Sequence, residues 1–242
     1  MHAQLFDDDF AARPPRILAP GAVLVPDFLT LEQQRFLVER FREWAAGPVP
    51  ARAARVGEHP MSVRTVCLGW HWRPGGYSRA AVDVNGQRVL PVPEWLVQLG
   101  RTALAAAEAV PNPADAAGNG LPTGTANGYA PDAVLANFYD AAASMGMHQD
   151  RDEPDLAPVV SVSLGDRCLF RFGNSETRNR PYQDIELSSG DLFVFGGPAR
   201  LAYHGVVRVF PGTAPTGLGL DSGRINLTLR QTGLSDRERI TP

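Results

Sequence analysis

The sequence predicts a mainly β (α+β) domain, a sandwich or barrel preceded by helices. Three observations carry that reading. Helical periodicity is confined to two stretches ahead of residue 111, and short strand-like runs follow one another closely after Pro131. In addition, 24 Gly and 21 Pro among 242 residues supply turns at a density that argues against a long helical bundle.

Residues 1–20, acidic and then Pro-rich, read as an N-terminal arm ahead of a single domain over 21–242. The run GAVLVPDFL reads as a short strand and turn. Thr30 is placed to cap a helix in LEQQRFLVERFREWAA, where Leu31, Phe36, Leu37, Phe41 and Trp44 recur near the helical period. Pro93 opens a second helix, expected from Glu94 to Val110. The segment from Pro111 to Pro131, rich in Gly, Pro, Ala and Asn, reads as a loop or insertion. The runs AVLANFYD, PVVSVSLGD, RCLFRFG, DIELSSGDLFVFGG, LAYHGVVRV and RINLTLRQT then read as strands separated by turn residues.

Composition narrows the function classes. A net charge of −3 excludes a uniformly basic nucleic-acid binder, yet Arg35 to Arg101 holds ten Arg against five acids. That basic stretch fits either an anionic polymer or a solvated helix face. All 23 cationic side chains are Arg, whose forked guanidinium suits phosphate and carboxylate. Cys67 and Cys168 are far apart, which supports neither a disulfide framework nor a Cys-type zinc site. Asp7, Asp8 and Asp9 stand where a signal peptide needs positive charge, and no apolar run is long enough for a membrane span. A soluble, cytoplasmic protein is expected.

Two constellations carry chemistry. Alternate residues of an extended segment point the same way, so His148 and Asp150 can present an imidazole and a carboxylate to one point. His204, on a distant strand, would complete two histidines and one carboxylate, a set that leaves open positions on Fe(II) for a cosubstrate and dioxygen. The pair also fits an acidic loop (Asp150, Asp152, Glu153, Asp155), and a hydrolytic zinc site could use the same ligands. In RINLTLR, Arg224, Asn226, Thr228 and Arg230 alternate with Ile225, Leu227 and Leu229. This puts two guanidiniums, an amide and a hydroxyl on one strand face, either solvated or gathered around a small dicarboxylate. Asn137 and Tyr139 alternate in the same way ahead of His148.

With these residues assembled, the sequence closely resembles the AlkB family of iron(II)- and 2-oxoglutarate-dependent nucleic-acid dealkylases. The matching elements are NFY, HQDRDEPD, VSVSLG, FRFG, the GDLFVFGG-R-YHG run and RINLTLRQ, in family order across most of Met61 to Gln231. The resemblance implies a double-stranded β-helix, or jelly-roll, with N-terminal helices and a nucleotide-recognition lid at roughly 50–90. It implies His148, Asp150 and His204 as ligands of Fe(II), with 2-oxoglutarate and dioxygen as cosubstrates. Arg224 then matches the partner of the distal 2-oxoglutarate carboxylate, and Arg230 lies toward the metal-proximal one. Asn137, Tyr139, Asn226 and Thr228 complete that pocket. On the substrate side Trp70 matches the base-stacking aromatic, whose bland reading is a core residue; Tyr77, Asp152 and Arg178 match substrate contacts.

Three departures stand out: Phe195 where relatives often carry Trp, Arg151 for a common Lys, and a longer segment from Asn112 to Ala130. The implied activity is oxidative removal of alkyl groups from bases such as 1-methyladenine and 3-methylcytosine in DNA, by a monomer acting on single-stranded or flipped-out bases. An oxygenase of RNA or tRNA bases and a non-catalytic nucleic-acid-binding relative are the alternatives.

Overall fold

The computed structural model describes residues 13–112 and 119–235. The strands, in chain order, are β1 (Arg16–Ala19), β2 (Ala22–Val25), β3 (Arg52–Val56), β4 (His59–Leu68), β5 (His71–Arg73), β6 (Gly76–Ser78), β7 (Ala133–Tyr139), β8 (Met145–His148), β9 (Val159–Gly165), β10 (Arg167–Phe172), β11 (Gln183–Leu187), β12 (Leu192–Phe195), β13 (His204–Phe210) and β14 (Arg224–Arg230). Two α-helices, α1 (Leu31–Ala45) and α2 (Glu94–Glu108), precede β7.

A major sheet runs β1-β2-β12-β9-β14-β7-β4-β3 and faces a minor sheet, β11-β10-β13-β8; β5 and β6 form a separate hairpin. The described pairings within the two large sheets are antiparallel. This is a mainly β jelly-roll with helices on the outer face of the major sheet.

The alternation in the strands builds both layers. On β14, Ile225, Leu227 and Leu229 join Leu37, Phe41, Trp44, Leu96 and Leu104 of the helices in one apolar cluster. A second cluster holds the sheets together: Phe170, Phe172, Phe193, Phe195, Ile185 and Leu187. Every residue of β14 is buried, so its polar face is enclosed by the minor sheet rather than solvated.

α1 begins as the sequence predicts. Thr30 Oγ1 accepts from the Gln33 amide at 3.3 Å and Gln33 Oε1 accepts from the Thr30 amide at 2.9 Å, a reciprocal cap. The segment after α2 has a structural task. The Asn119 side chain donates to the Ala107 and Val110 carbonyls at 2.8 and 3.0 Å, satisfying the open end of α2.

Two expectations shift, and the expected lid carries a strand that the sequence did not reveal. The arm expected over residues 1–20 lies outside the described residues up to residue 12, and from Arg16 the chain already forms β1, paired with β2. The run from Asp184 to Gly197 is two strands, β11 and β12, broken by a turn that Asp191 ties to the Ser188 amide at 2.8 Å. The lid region contributes β4, a ten-residue strand paired with β7 inside the major sheet, so it shares the core of the jelly-roll. Its first half, His59 to Ser62, is exposed or half-buried, which hid the strand in the hydropathy pattern. Among the described residues, no helix is long and apolar enough to cross a membrane.

Candidate active site

Between the two sheets lies a cavity of about 540 Å³ whose wall includes His148, Asp150, His204, Arg224 and Arg230. β8 and β13 place His148 and His204 as direct cross-strand partners, with ring centroids 4.5 Å apart. Asp150 follows two residues after His148. Its oxygens lie 3.7 Å from His148 Nε2 and 3.8 Å from His204 Nε2. The three ligand atoms fall within 4.8 Å of one another.

Each imidazole is oriented by its other nitrogen. His148 Nδ1 lies 3.0 Å from the Gly146 carbonyl, and His204 Nδ1 lies 3.0 Å from the Ala202 carbonyl. A carbonyl only accepts, so Nδ1 donates in both rings and Nε2 is the nitrogen left for the cavity, as in metal-ligating histidines. Burial, then the neighbouring His148 ring, holds His204 down to about 4, so it is neutral at physiological pH. Burial pushes the Asp150 carboxyl up, but the Arg230 guanidinium leads the neighbouring charges that outweigh it and hold the group well below the usual carboxylate range. Asp150 Oδ2 is buried with no hydrogen-bond partner. Two imidazoles, one carboxylate and an orphaned anionic oxygen fit Fe(II).

The cosubstrate side shows the same signature. Arg224 is 1% exposed, donates one hydrogen bond to Ser163 Oγ at 2.9 Å, and leaves Nε and Nη1 buried without partners. A buried guanidinium with two idle donors is costly unless an anion completes it. Arg230 Nε is idle as well. Register aligns Arg224 with Tyr139 and Asn226 with Asn137 across β14 and β7, so all four polar side chains share the cavity wall. Asn226 spends its amide on Ser161 Oγ (2.7 Å) and the Val162 carbonyl (3.2 Å), and its oxygen accepts from Thr228 Oγ1 at 2.9 Å. Thr65 donates to Asn137 Oδ1 at 2.7 Å. These donors and acceptors fit a dicarboxylate beside a metal.

On the substrate side the structure places two of the expected residues away from the cavity wall. Trp70 is 3% exposed and packs with Cys67, Ala133 and Leu135. Its Nε1 donates to Asp132 Oδ2 at 3.0 Å, and the Arg79 guanidinium covers its ring at 3.7 Å. The cause is Gly69, whose φ of +74° turns the chain after β4 with its Cα against the Asp132 carbonyl; a Cβ there would sit 1.9 Å from that oxygen. The turn directs Trp70 inward and brings Trp72 to the cavity wall instead. Tyr77 is likewise buried away from that wall, hydrogen-bonded to Glu153 and to Arg230 Nη1. Asp152 and Arg178 do line the cavity, Asp152 accepting from Trp72 Nε1 at 2.9 Å and Arg178 lying 5.8 Å from the Tyr203 ring centroid.

Sequence reasoning missed Trp72, Thr65, Ser161, Ser163, Glu153 and Arg200. The alternation of Ser161 and Ser163 in VSVS was a usable signal; the others depend on contacts between distant segments.

A jelly-roll enclosing two histidines, a carboxylate and an unpaired arginine defines an Fe(II)- and 2-oxoglutarate-dependent dioxygenase, and the sequence model of the 2OG-Fe(II) oxygenase superfamily matches residues 21–230. Within that class the chain belongs to the AlkB family. It is 38% identical over 237 residues to the alpha-ketoglutarate-dependent dioxygenase AlkB of Salmonella typhimurium, covering 94% of this chain and 96% of that one. It is 32% identical over 229 residues to the DNA N(6)-methyladenine demethylase ALKBH1D of Arabidopsis thaliana, which covers 89% of this chain but only 50% of that longer protein. The solved structure of OsALKBH1 superposes with a TM-score of 0.79 at 33% identity, over 88% of this chain and 99% of that one.

Proposed function

We propose that the enzyme oxidatively removes alkyl groups from ring nitrogens of nucleobases in DNA, with 1-methyladenine and 3-methylcytosine as its substrates. The observation that carries the reading is the composition of the cavity wall. The triad and the idle Arg224 are joined to an outer wall of Trp72, Asp152 and Arg178, an aromatic face, a carboxylate and a guanidinium. Relatives named as demethylases of DNA N(6)-methyladenine and of tRNA support a nucleic-acid substrate.

His148, Asp150 and His204 would hold Fe(II), which with 2-oxoglutarate and dioxygen would supply the oxidising power to hydroxylate an N-alkyl carbon, the cosubstrate leaving as succinate and carbon dioxide. The chain does the rest. Arg224 and Arg230 offer their idle donors to the cosubstrate carboxylates. Trp72 offers a π-face to a base taken out of the stack, and an alkylated, cationic base suits both that face and the Asp152 carboxylate. Arg178, also on the wall, offers a guanidinium to a phosphate of the strand. Hydroxylation of an N-methyl group leaves a hemiaminal that releases formaldehyde.

The proposal includes a monomer, because ligands and guanidiniums all come from one chain. The test measures formaldehyde and succinate with matched methylated and unmethylated oligonucleotides of DNA and RNA. Equal release of both products on methylated DNA is expected. Succinate without formaldehyde on every methylated DNA, or formaldehyde from RNA alone, would overturn it.

A further inference from the structure

The Glu153 side chain has no exposed surface and sits between two buried arginines. Its Oε1 accepts from Arg230 Nη1 at 2.7 Å, and its Oε2 accepts from Arg200 Nη2 at 3.1 Å. The Tyr77 hydroxyl donates to Oε1 as well and accepts from Arg230 Nη1 at 3.0 Å. Arg230 extends its second arm, Nη2, to Asp150 Oδ1 at 2.8 Å. Arg200 fixes the backbone beneath, donating to the carbonyls of Asp150 at 2.6 Å and Ala157 at 2.8 Å.

This division of Arg230 is unusual for its surroundings. A guanidinium beside a buried carboxylate has a geometric match in the two-pronged pair, with both oxygens taken. Here only Oδ1 of Asp150 is taken and Oδ2 is left without a partner. Of the two groups flanking Nη2, Nη1 is anchored by Glu153 and Tyr77, and with the guanidinium held in that orientation Nε has no partner instead of closing on Oδ2. Charge points the same way: two arginines and two carboxylates balance, and loss of the Glu153 charge would leave surplus positive charge beside a site for a divalent cation.

We propose that Glu153 is a positioning residue for the metal centre: it holds one arm of Arg230 away from Asp150, so that Asp150 keeps an oxygen for the metal. Tyr77 assists by bridging the same two groups. The role lies in the metal site and does not depend on which substrate the enzyme takes.

Mn(II) titrated calorimetrically into the metal-free protein tests it. Glu153→Gln is expected to weaken Mn(II) binding about tenfold, the scale found when groups that orient metal ligands are changed. In an Arg230→Met background the same substitution should cost nothing further, because the competing arm is gone. A purely structural ion pair would not show that cancellation. Wild-type Mn(II) affinity in folded Glu153→Gln overturns the proposal, and so does an undiminished loss in the Arg230→Met background. Should Glu153→Gln fail to fold, Tyr77→Phe removes only the bridging hydroxyl; it should weaken Mn(II) binding several-fold at an unchanged melting temperature, and wild-type affinity there overturns the proposal equally.

Discussion

Trp72 and Asp152 are joined across the cavity wall by a hydrogen bond of 2.9 Å from the indole nitrogen to the carboxylate. The bond fixes the ring, which lines the same cavity as the triad. Stacking of a base on an aromatic contributes about 1–3 kcal/mol by alanine substitution. Trp72→Ala should therefore weaken binding of a methylated oligonucleotide by roughly five- to a hundredfold. Trp72→Phe should keep most of the affinity, because the face survives. Fluorescence anisotropy on the Mn(II)- and 2-oxoglutarate-loaded protein reads the difference, and wild-type affinity in Trp72→Ala would remove Trp72 from the substrate site.

Trp70→Ala should behave in the opposite way. The indole is enclosed by Cys67, Ala133 and Leu135 and bonds Asp132, which also accepts from the Thr232 amide at 2.7 Å and hydroxyl at 2.8 Å. Truncating a large buried aromatic costs about 3–5 kcal/mol. Denaturant unfolding should show a loss of that size, and succinate release should fall with and without substrate alike. A variant with wild-type stability that loses only oligonucleotide binding would restore Trp70 as the stacking residue.

Metal-free protein should lose stability as pH falls. Folded His204 titrates near 4, whereas the unfolded residue titrates at about 6.5. Between those values the unfolded chain binds a proton that the folded chain does not, so the folded state is favoured less as pH drops. Asp150, depressed in the fold, extends the loss in the same direction at lower pH. Melting temperature followed in EDTA from pH 7 to 4.5 should decline, and His204→Gln should flatten part of the slope. A flat profile in the parent protein would show that His204 is not buried neutral.

Much of this was legible in the sequence because period two is a strong signal. The alternation of Arg224, Asn226, Thr228 and Arg230 fixed one polar face of β14 before any partner strand was known. What alternation could not decide was whether solvent or a second sheet lay over that face. The answer depends on β8 and β13, whose pairing brings His148 to His204 across a sequence gap that no local pattern spans. Trp70 and Trp72 show the limit more sharply. The resemblance placed an aromatic near the base, but the turn at Gly69 decides which of the two indoles reaches the cavity. Glu153 was visible only as one acid in an acidic loop; its meaning comes from Arg200 and Arg230, both distant in sequence.

Arg224→Lys should raise the Michaelis constant for 2-oxoglutarate tenfold or more while leaving the fold intact. Arg224 donates once, to Ser163, and holds Nε and Nη1 idle and buried toward the cavity. A lysine keeps the charge but is a point donor without the fork, so it cannot present paired hydrogen bonds to one carboxylate. A hydrogen bond to a charged group contributes about 1.5–3 kcal/mol, enough for at least a tenfold loss. Turnover at saturating 2-oxoglutarate should fall much less than the affinity, since none of the three metal ligands is touched. Succinate release measured against 2-oxoglutarate concentration separates the two parameters. An unchanged concentration dependence in the lysine variant would mean that the idle donors of Arg224 serve some other anion.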